Sequence, residues 1–191
     1  YAKEVGHPVL GKGYFCTARE GVVLDPETGQ GANASAFWMY GAQCVEVEVD
    51  PETGEVKVKR VVAAHDVGKI MNPLLLEGQC QGSIMMGLGA ALLEECVWEN
   101  GKTINPSFVD YKIANATGIP EMVSLFVEAP HREGPYGAKG IGEPLTACCP
   151  AAIANAVYDA VGVRIKDLPI TREKILRALK GKANLEEKGK K

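Results

Sequence analysis

In residues 44–50, CVEVEVD, apolar and acidic side chains alternate with a period of two, the pattern of a strand with one packed face and one wet face. Pro51-Glu52-Thr53-Gly54 supplies turn residues, and EVKVKRVV answers with Val56 and Val58 alternating with Lys57 and Lys59. Acidic residues on one strand and basic residues on the other predict cross-strand ion pairs on the solvent face. Upstream, residues 13–16 read as a further strand, followed by a turn-rich loop, DPETGQGANAS, that Gly29, Gly31 and Asn33 relieve. Downstream, Asn72 and Pro73 suit the cap and first position of a helix, and apolar residues run on to about Trp98. Residues 94–98 are also a strand candidate, because Asn100-Gly101 is a turn dipeptide. Further strands are expected at VDYKI (109–113) and VSLFVEA (123–129). A helix should then run from Pro144 to residues 158–161, closed by Gly162, and Thr171 should cap a short amphipathic helix over residues 172–180. The charged end, residues 181–191, reads as a solvated, disordered tail. Strands interspersed with a few helices, without a regular βαβ repeat, predict an α+β fold over residues 1–180, as one core or two small lobes.

Composition narrows the function classes. A formal net charge of −3 with scattered Lys and Arg gives no reason to expect a nucleic-acid partner, and no apolar run reaches the ~20 residues that span a bilayer. The six cysteines, Cys16, Cys44, Cys80, Cys96, Cys148 and Cys149, form no C-x-x-C pair, so they read as reduced, mostly buried thiols of a cytoplasmic protein. His7 and His131 lack a partner at metal-ligand spacing, and no residue is assigned as a metal ligand. His65 is read as the end of a strand and Asp66 as the acceptor of an Asx-type turn bond.

Two segments could carry chemistry. In GAKGIGEP (residues 137–144), Gly140 and Gly142 flank Ile141 and allow close approach of backbone to a ligand or a positive φ. Pro144 biases Glu143 toward an extended conformation at the lip of the next helix, where its carboxylate meets the positive end of the dipole. Glu143 can cap that helix or project into a cleft as a general base; the segment alone leaves both readings open. In NPLLLEGQCQGSIMMGLG (residues 72–89), four glycines interrupt a helical stretch. Gly78 and Gly82 share one face, with Gln79, Ser83 and Met86 on a neighbouring stripe, so a flat ligand or another backbone could approach there; tight helix packing is the alternative.

Together with GKGYFCTAREGVVLDPETGQG, the block from Tyr40 to Pro73 and AIANAVYDAVGVRIKDLPIT, these segments resemble the molybdopterin-binding subunit of the xanthine dehydrogenase/aldehyde oxidase family of molybdenum hydroxylases. The resemblance implies the second half of that subunit's molybdopterin-binding domain. It implies molybdenum carried on molybdopterin, or on its cytosine dinucleotide, with Glu143 as the base beside the metal. Gln79 would hydrogen-bond the pterin, and Gly82, Ser83, Gly140, Ile141 and Gly142 would line the cofactor. It implies oxidation of a small-molecule aldehyde or N-heterocycle with oxygen from water. The other half of the subunit, an iron–sulfur subunit and an FAD subunit are the implied partners. The glycine-rich loop that precedes these segments in the family is missing, so the chain is expected to be a fragment or one half of a split subunit. A reductive family member of the hydroxybenzoyl-CoA reductase type and a non-catalytic assembly module are the rival readings.

Overall fold

A computed structural model describes residues 6, 10–15, 24–31 and 35–188 of the 191-residue chain. Strands β1 (Gly41–Val49) and β2 (Val56–Asp66) form the antiparallel hairpin expected from the alternation. The turn closes on Asp50, whose carboxylate accepts from the amides of Glu52 and Thr53, and Gly54 takes φ 71°. Lys59 and Glu48 form the predicted cross-strand ion pair at 3.3 Å.

One irregularity sets the faces of β2. Glu46 pairs with Arg60 and Val47 with Val58, so Lys59 is an extra residue in the ladder, a β-bulge. Before it the inward positions are even, Val56 and Val58; after it they are odd, Val61, Ala63 and His65. A pleated strand cannot change face without such an insertion.

Helix α1 (Pro73–Leu92) leaves β2 and leads, through a small hairpin of β3 (Trp98–Glu99) and β4 (Lys102–Thr103), to β5 (Glu121–Val127), which joins β2 in parallel. Asn72 caps α1, its Oδ1 accepting from Leu75 N at 3.1 Å. Helix α2 (Pro144–Val161), closed by left-handed Gly162, packs on α1 and β1, and α3 (Arg172–Lys188) follows. The core lies between sheet and helices, with Val61, Ile84, Leu145, Ile153 and Ile175 fully buried. The result is the α+β architecture expected.

Several expectations change. Residues 13–15 form no strand: Tyr14 and Phe15 are exposed and no described strand pairs with them, while Cys16 and Asn33 lie outside the described residues. Residues 109–113 are not a strand either, because the Ser107 carbonyl draws in the amides of Asp110 and Tyr111 and closes a turn. The apolar stretch ends as helix at Leu92, and the strand after it begins only at Trp98. Helix α3 runs past residue 180 to Lys188. Among the described cysteines all are free; Cys80 and Cys149 are buried and Cys148 half-buried, but Cys44 and Cys96 are exposed. No helix among the described residues is long and apolar enough to cross a membrane.

The glycines of α1 divide into two kinds. A Cβ on Gly87 would stand 2.4 Å from Cys149 Cβ and 3.0 Å from the Thr146 carbonyl, whereas Gly78 and Gly82 have nothing within 4 Å. Gly87→Ala should therefore force α1 and α2 apart and cost roughly 1–3 kcal/mol, as overpacked cores do. Gly82→Ala should leave the fold unharmed or stabilise it by up to about 1 kcal/mol through helix propensity. Urea unfolding of the two variants beside the parent chain checks this; equal midpoints for both would contradict the close contact.

Candidate functional site

The chain from Gly137 to Thr146 bridges the end of β2 and the start of α2, and it is fastened at both ends. At the first end, Lys69 N–H donates to the Gly137 carbonyl at 3.0 Å and Lys139 N–H to the Val67 carbonyl at 2.9 Å. This approach requires Gly68, at φ 67°, because a Cβ there would stand 2.2 Å from the Gly137 oxygen. At the second end, Gln43 Nε2 donates to the Leu145 carbonyl at 2.8 Å, and Thr146 N–H donates to Ser83 Oγ at 2.9 Å.

Glu143 stands between these fastenings as the N-cap residue of α2, with φ −126° and ψ −8°. Its side chain makes no capping hydrogen bond, and among the described residues its carboxylate has no hydrogen-bond or ion-pair partner. Of the two readings open at this position, capping by the side chain is therefore excluded. The carboxylate is exposed at the N-terminal end of α2. Gly140 and Gly142 do not have positive φ; that conformation falls instead at Gly137 and at Tyr136.

Gln79 comes to the same place from α1. Its Oε1 lies 3.9 Å from the position a Cβ would take at Gly142. Gln79 borders a mainly apolar cleft of about 210 Å³ shared with Val67, Leu75, Lys139 and Ile141. A larger groove of about 670 Å³ lies elsewhere, around Leu88, Leu92 and Ile113, and holds none of the candidate residues. Gly82 is exposed on the α1 surface. Ser83 is not with them: it is 1% exposed, and its hydroxyl is engaged with Thr146 Oγ1 at 3.0 Å as well as with the Thr146 amide. The structure thus turns Ser83 inward, to fix the first turn of α2, rather than toward a ligand.

Sequence reading missed a buried charged group behind the segment. Lys139 Nζ lies 2.5 Å from Asp66 Oδ2 and 3.2 Å from the Trp38 carbonyl, and the two side chains are only 7% and 10% exposed. Asp66 Oδ1 accepts from Gly68 N at 3.0 Å, which is the expected Asx bond. Burial pushes the Asp66 carboxyl up, but its bonds from Lys139 and Gly68 outweigh this and hold it below the ordinary value. His65 is buried at the end of β2, with Nε2 3.4 Å from the Gly140 carbonyl and Nδ1 without a partner among the described residues. Burial, aided by the Lys139 charge, lowers its pKa against the opposing pull of Gly140 and Asp66. Cys149, buried against the Ile84 carbonyl, has its thiol pushed up to about 12 and is inert at neutral pH. Among the described residues no three His, Cys, Asp or Glu side chains group as a metal site.

The His65 shift carries a sign. A base with a depressed folded pKa gives stability that is complete above its unfolded value, 6.5, and is lost as pH falls through the folded value. Asp66 adds a second loss, which begins only below 3.8. Urea midpoints at pH 7.5 and 5.5 should therefore differ more for the parent chain than for His65→Gln. An identical pH dependence in the variant would assign the loss to other groups.

The chain matches the molybdopterin cofactor-binding domain family over residues 2–120. It is 40% identical over 138 residues to the xanthine dehydrogenase molybdenum-binding subunit of Escherichia coli O157:H7, covering 71% of this chain and 18% of that one. It is 38% identical over 150 residues to the nicotine 6-hydroxylase large subunit of Paenarthrobacter nicotinovorans, covering 76% and 18%. The aldehyde oxidoreductase structure from Desulfovibrio gigas matches with a TM-score of 0.67 and 38% identity, over 74% of this chain and 15% of that one. The chain thus spans less than a fifth of the length of each of these relatives. The family match takes in the β1–β2 hairpin and α1 with Gln79, and ends before Glu143. On this match and these identities, the chain belongs to the molybdopterin cofactor-binding domain family, as part of a molybdenum-binding subunit of the xanthine dehydrogenase/aldehyde oxidoreductase type.

Proposed function

We propose that this chain contributes the catalytic base and one wall of the cofactor site to a molybdenum hydroxylase. The observation that carries the reading is the Glu143 carboxylate, exposed at the start of α2 without a capping bond, one residue after the Gly142 that Gln79 approaches. The residues suit the cofactor: Gln79 offers both donors and an acceptor to a polar edge, Gly82 leaves open space on α1, and Gly140 and Gly142 present backbone covered from outside by the end of the flexible Met39 side chain and by Gln79 itself. Ile141, half-buried against the core, holds the middle of that wall.

When bound, the molybdenum and its pterin, in the plain or cytosine-dinucleotide form, supply the two-electron redox chemistry. Glu143 takes a proton from the water whose oxygen enters the substrate. The fastened segment holds the carboxylate in the direction that this requires. Gln79 orients the pterin edge, and the apolar cleft beside it limits water. The substrate is an aldehyde or an N-heterocycle, since both classes offer an electron-poor carbon. The aldehyde oxidoreductase and nicotine 6-hydroxylase names of two relatives support those classes. The remaining cofactor contacts come from the other half of the molybdenum-binding subunit. Electrons leave through iron–sulfur and FAD subunits, in a cytoplasmic complex.

In the assembled enzyme, Glu143→Gln keeps shape and polarity but cannot take a proton. Turnover should fall by about 10²–10⁴ while molybdenum content and folding persist. A fully loaded Gln variant with near parental turnover would sink the assignment. Gln79→Ala should instead lower cofactor retention, because a pterin group left unpaired on burial costs about 1–3 kcal/mol. Molybdenum assay after gel filtration reads this directly, and undiminished occupancy would count against the contact.

A further inference from the structure

We infer that the buried Lys139–Asp66 ion pair is the positioning device for Glu143, an inference that rests on the reading of Glu143 as the base. Four residues, Gly140 to Glu143, cross from one fastening to the other, and the two glycines among them give the crossing little stiffness of its own. Within it Ile141 packs on the core and the Glu143 carbonyl accepts from the Thr146 amide, but among the described residues the hydrogen bond reaching residues 140–142 from outside is the long approach of His65 Nε2 to the Gly140 carbonyl, at 3.4 Å. The direction of the Glu143 side chain is therefore inherited from the ends.

The far end is held by neutral hydrogen bonds, one from Gln43 to the Leu145 carbonyl and one from the Thr146 amide to Ser83 Oγ. The near end is held by a charge pair with both side chains at least nine-tenths buried, to which Lys139 adds a bond to the Trp38 carbonyl. A buried pair is a poor way to gain stability, since apolar residues of the same volume do as well; its use is to fix geometry. Here it joins the last residue of β2, a central strand, to the residue four before Glu143. Lys139 and Asp66 touch no reacting group on this account. They are positioning residues, and their effect passes through the backbone of residues 139–143.

The test uses the full-length, cofactor-loaded protein, with a substrate chosen by screening aldehydes and N-heterocycles against the parent enzyme. In Lys139→Met, hydrogen exchange at the amides of residues 69 and 139, which the near fastening protects, should accelerate tenfold or more. kcat should fall tenfold or more, with KM and molybdenum content within twofold of the parent. Because Lys139→Met leaves Asp66 buried and unpaired, Asp66→Asn/Lys139→Met is made in parallel; it carries no buried charge and should show the same pattern. Val157→Ala, in the core of α2, controls for lost stability: Tm should drop while exchange at those two amides and kcat stay as they were. Parental exchange and kcat in the double variant would overturn the inference. So would a loss of kcat without faster exchange, since Lys139 would then act by another route. Glu143→Gln separates the two readings, because retained turnover there removes the base assignment whatever the exchange data show.

Discussion

Helices α1 and α2 approach closely where Gly87 lies against Cys149, and the positions of both candidate side chains depend on that contact. Gln79 is two turns before the crossing on α1, and Glu143 is just before the first turn of α2. Ser83 and Thr146 join the helices one turn earlier, each hydroxyl satisfied by the other chain segment. Around this contact α1 buries Cys80, Ser83, Ile84 and Gly87 and leaves Gly78, Gln79 and Gly82 exposed. A wider crossing would separate Gln79 from Gly142 and open the cleft that Gln79 shares with Ile141.

The site is consequently built from two kinds of material. Glycine and an unbonded carboxylate occupy the surface that would meet a ligand, and both are conformationally permissive. Behind them stand interactions with little freedom: an ion pair, a backbone ladder from Val67 to Lys139 and the hydroxyl pair between helices. Function of the base type needs a side chain held to a direction, and here rigidity comes from the strand end rather than from the segment that carries the side chain.

Local patterns in the chain were legible where a local cause sufficed. The β1–β2 hairpin follows from alternation and its turn residues, the α1 start from Asn72-Pro73, and the α2 end from Gly162. Glu143 and Gln79 stood out through their glycine surroundings and the family likeness. Ser83 is buried against Thr146 although periodicity puts it on the stripe of Gln79, because periodicity reports which way a residue points around the axis and not where along the axis a neighbour begins. Residues 109–113 have strand composition but no partner strand among the described residues, and the turn at Ser107 prevails. The Lys139–Asp66 pair joins positions 73 residues apart, and neither has a local signature that names the other. The pair forms where β5 has joined β2 in parallel and the chain then returns to the end of β2.

The bulge at Lys59 acts as a phase shift in the strand. All the residues after it, down to His65, owe their facing to that one insertion. Asp66 then follows as the last residue before the chain turns away at Gly68. Removing Lys59, an exposed residue of the hairpin that touches no part of the candidate site, would transpose inside and outside along half of β2. His65 would trade places with its neighbours, and the strand would present a different edge to residues 137–139. The count of residues in a surface hairpin is thus part of the addressing by which this fold delivers Glu143.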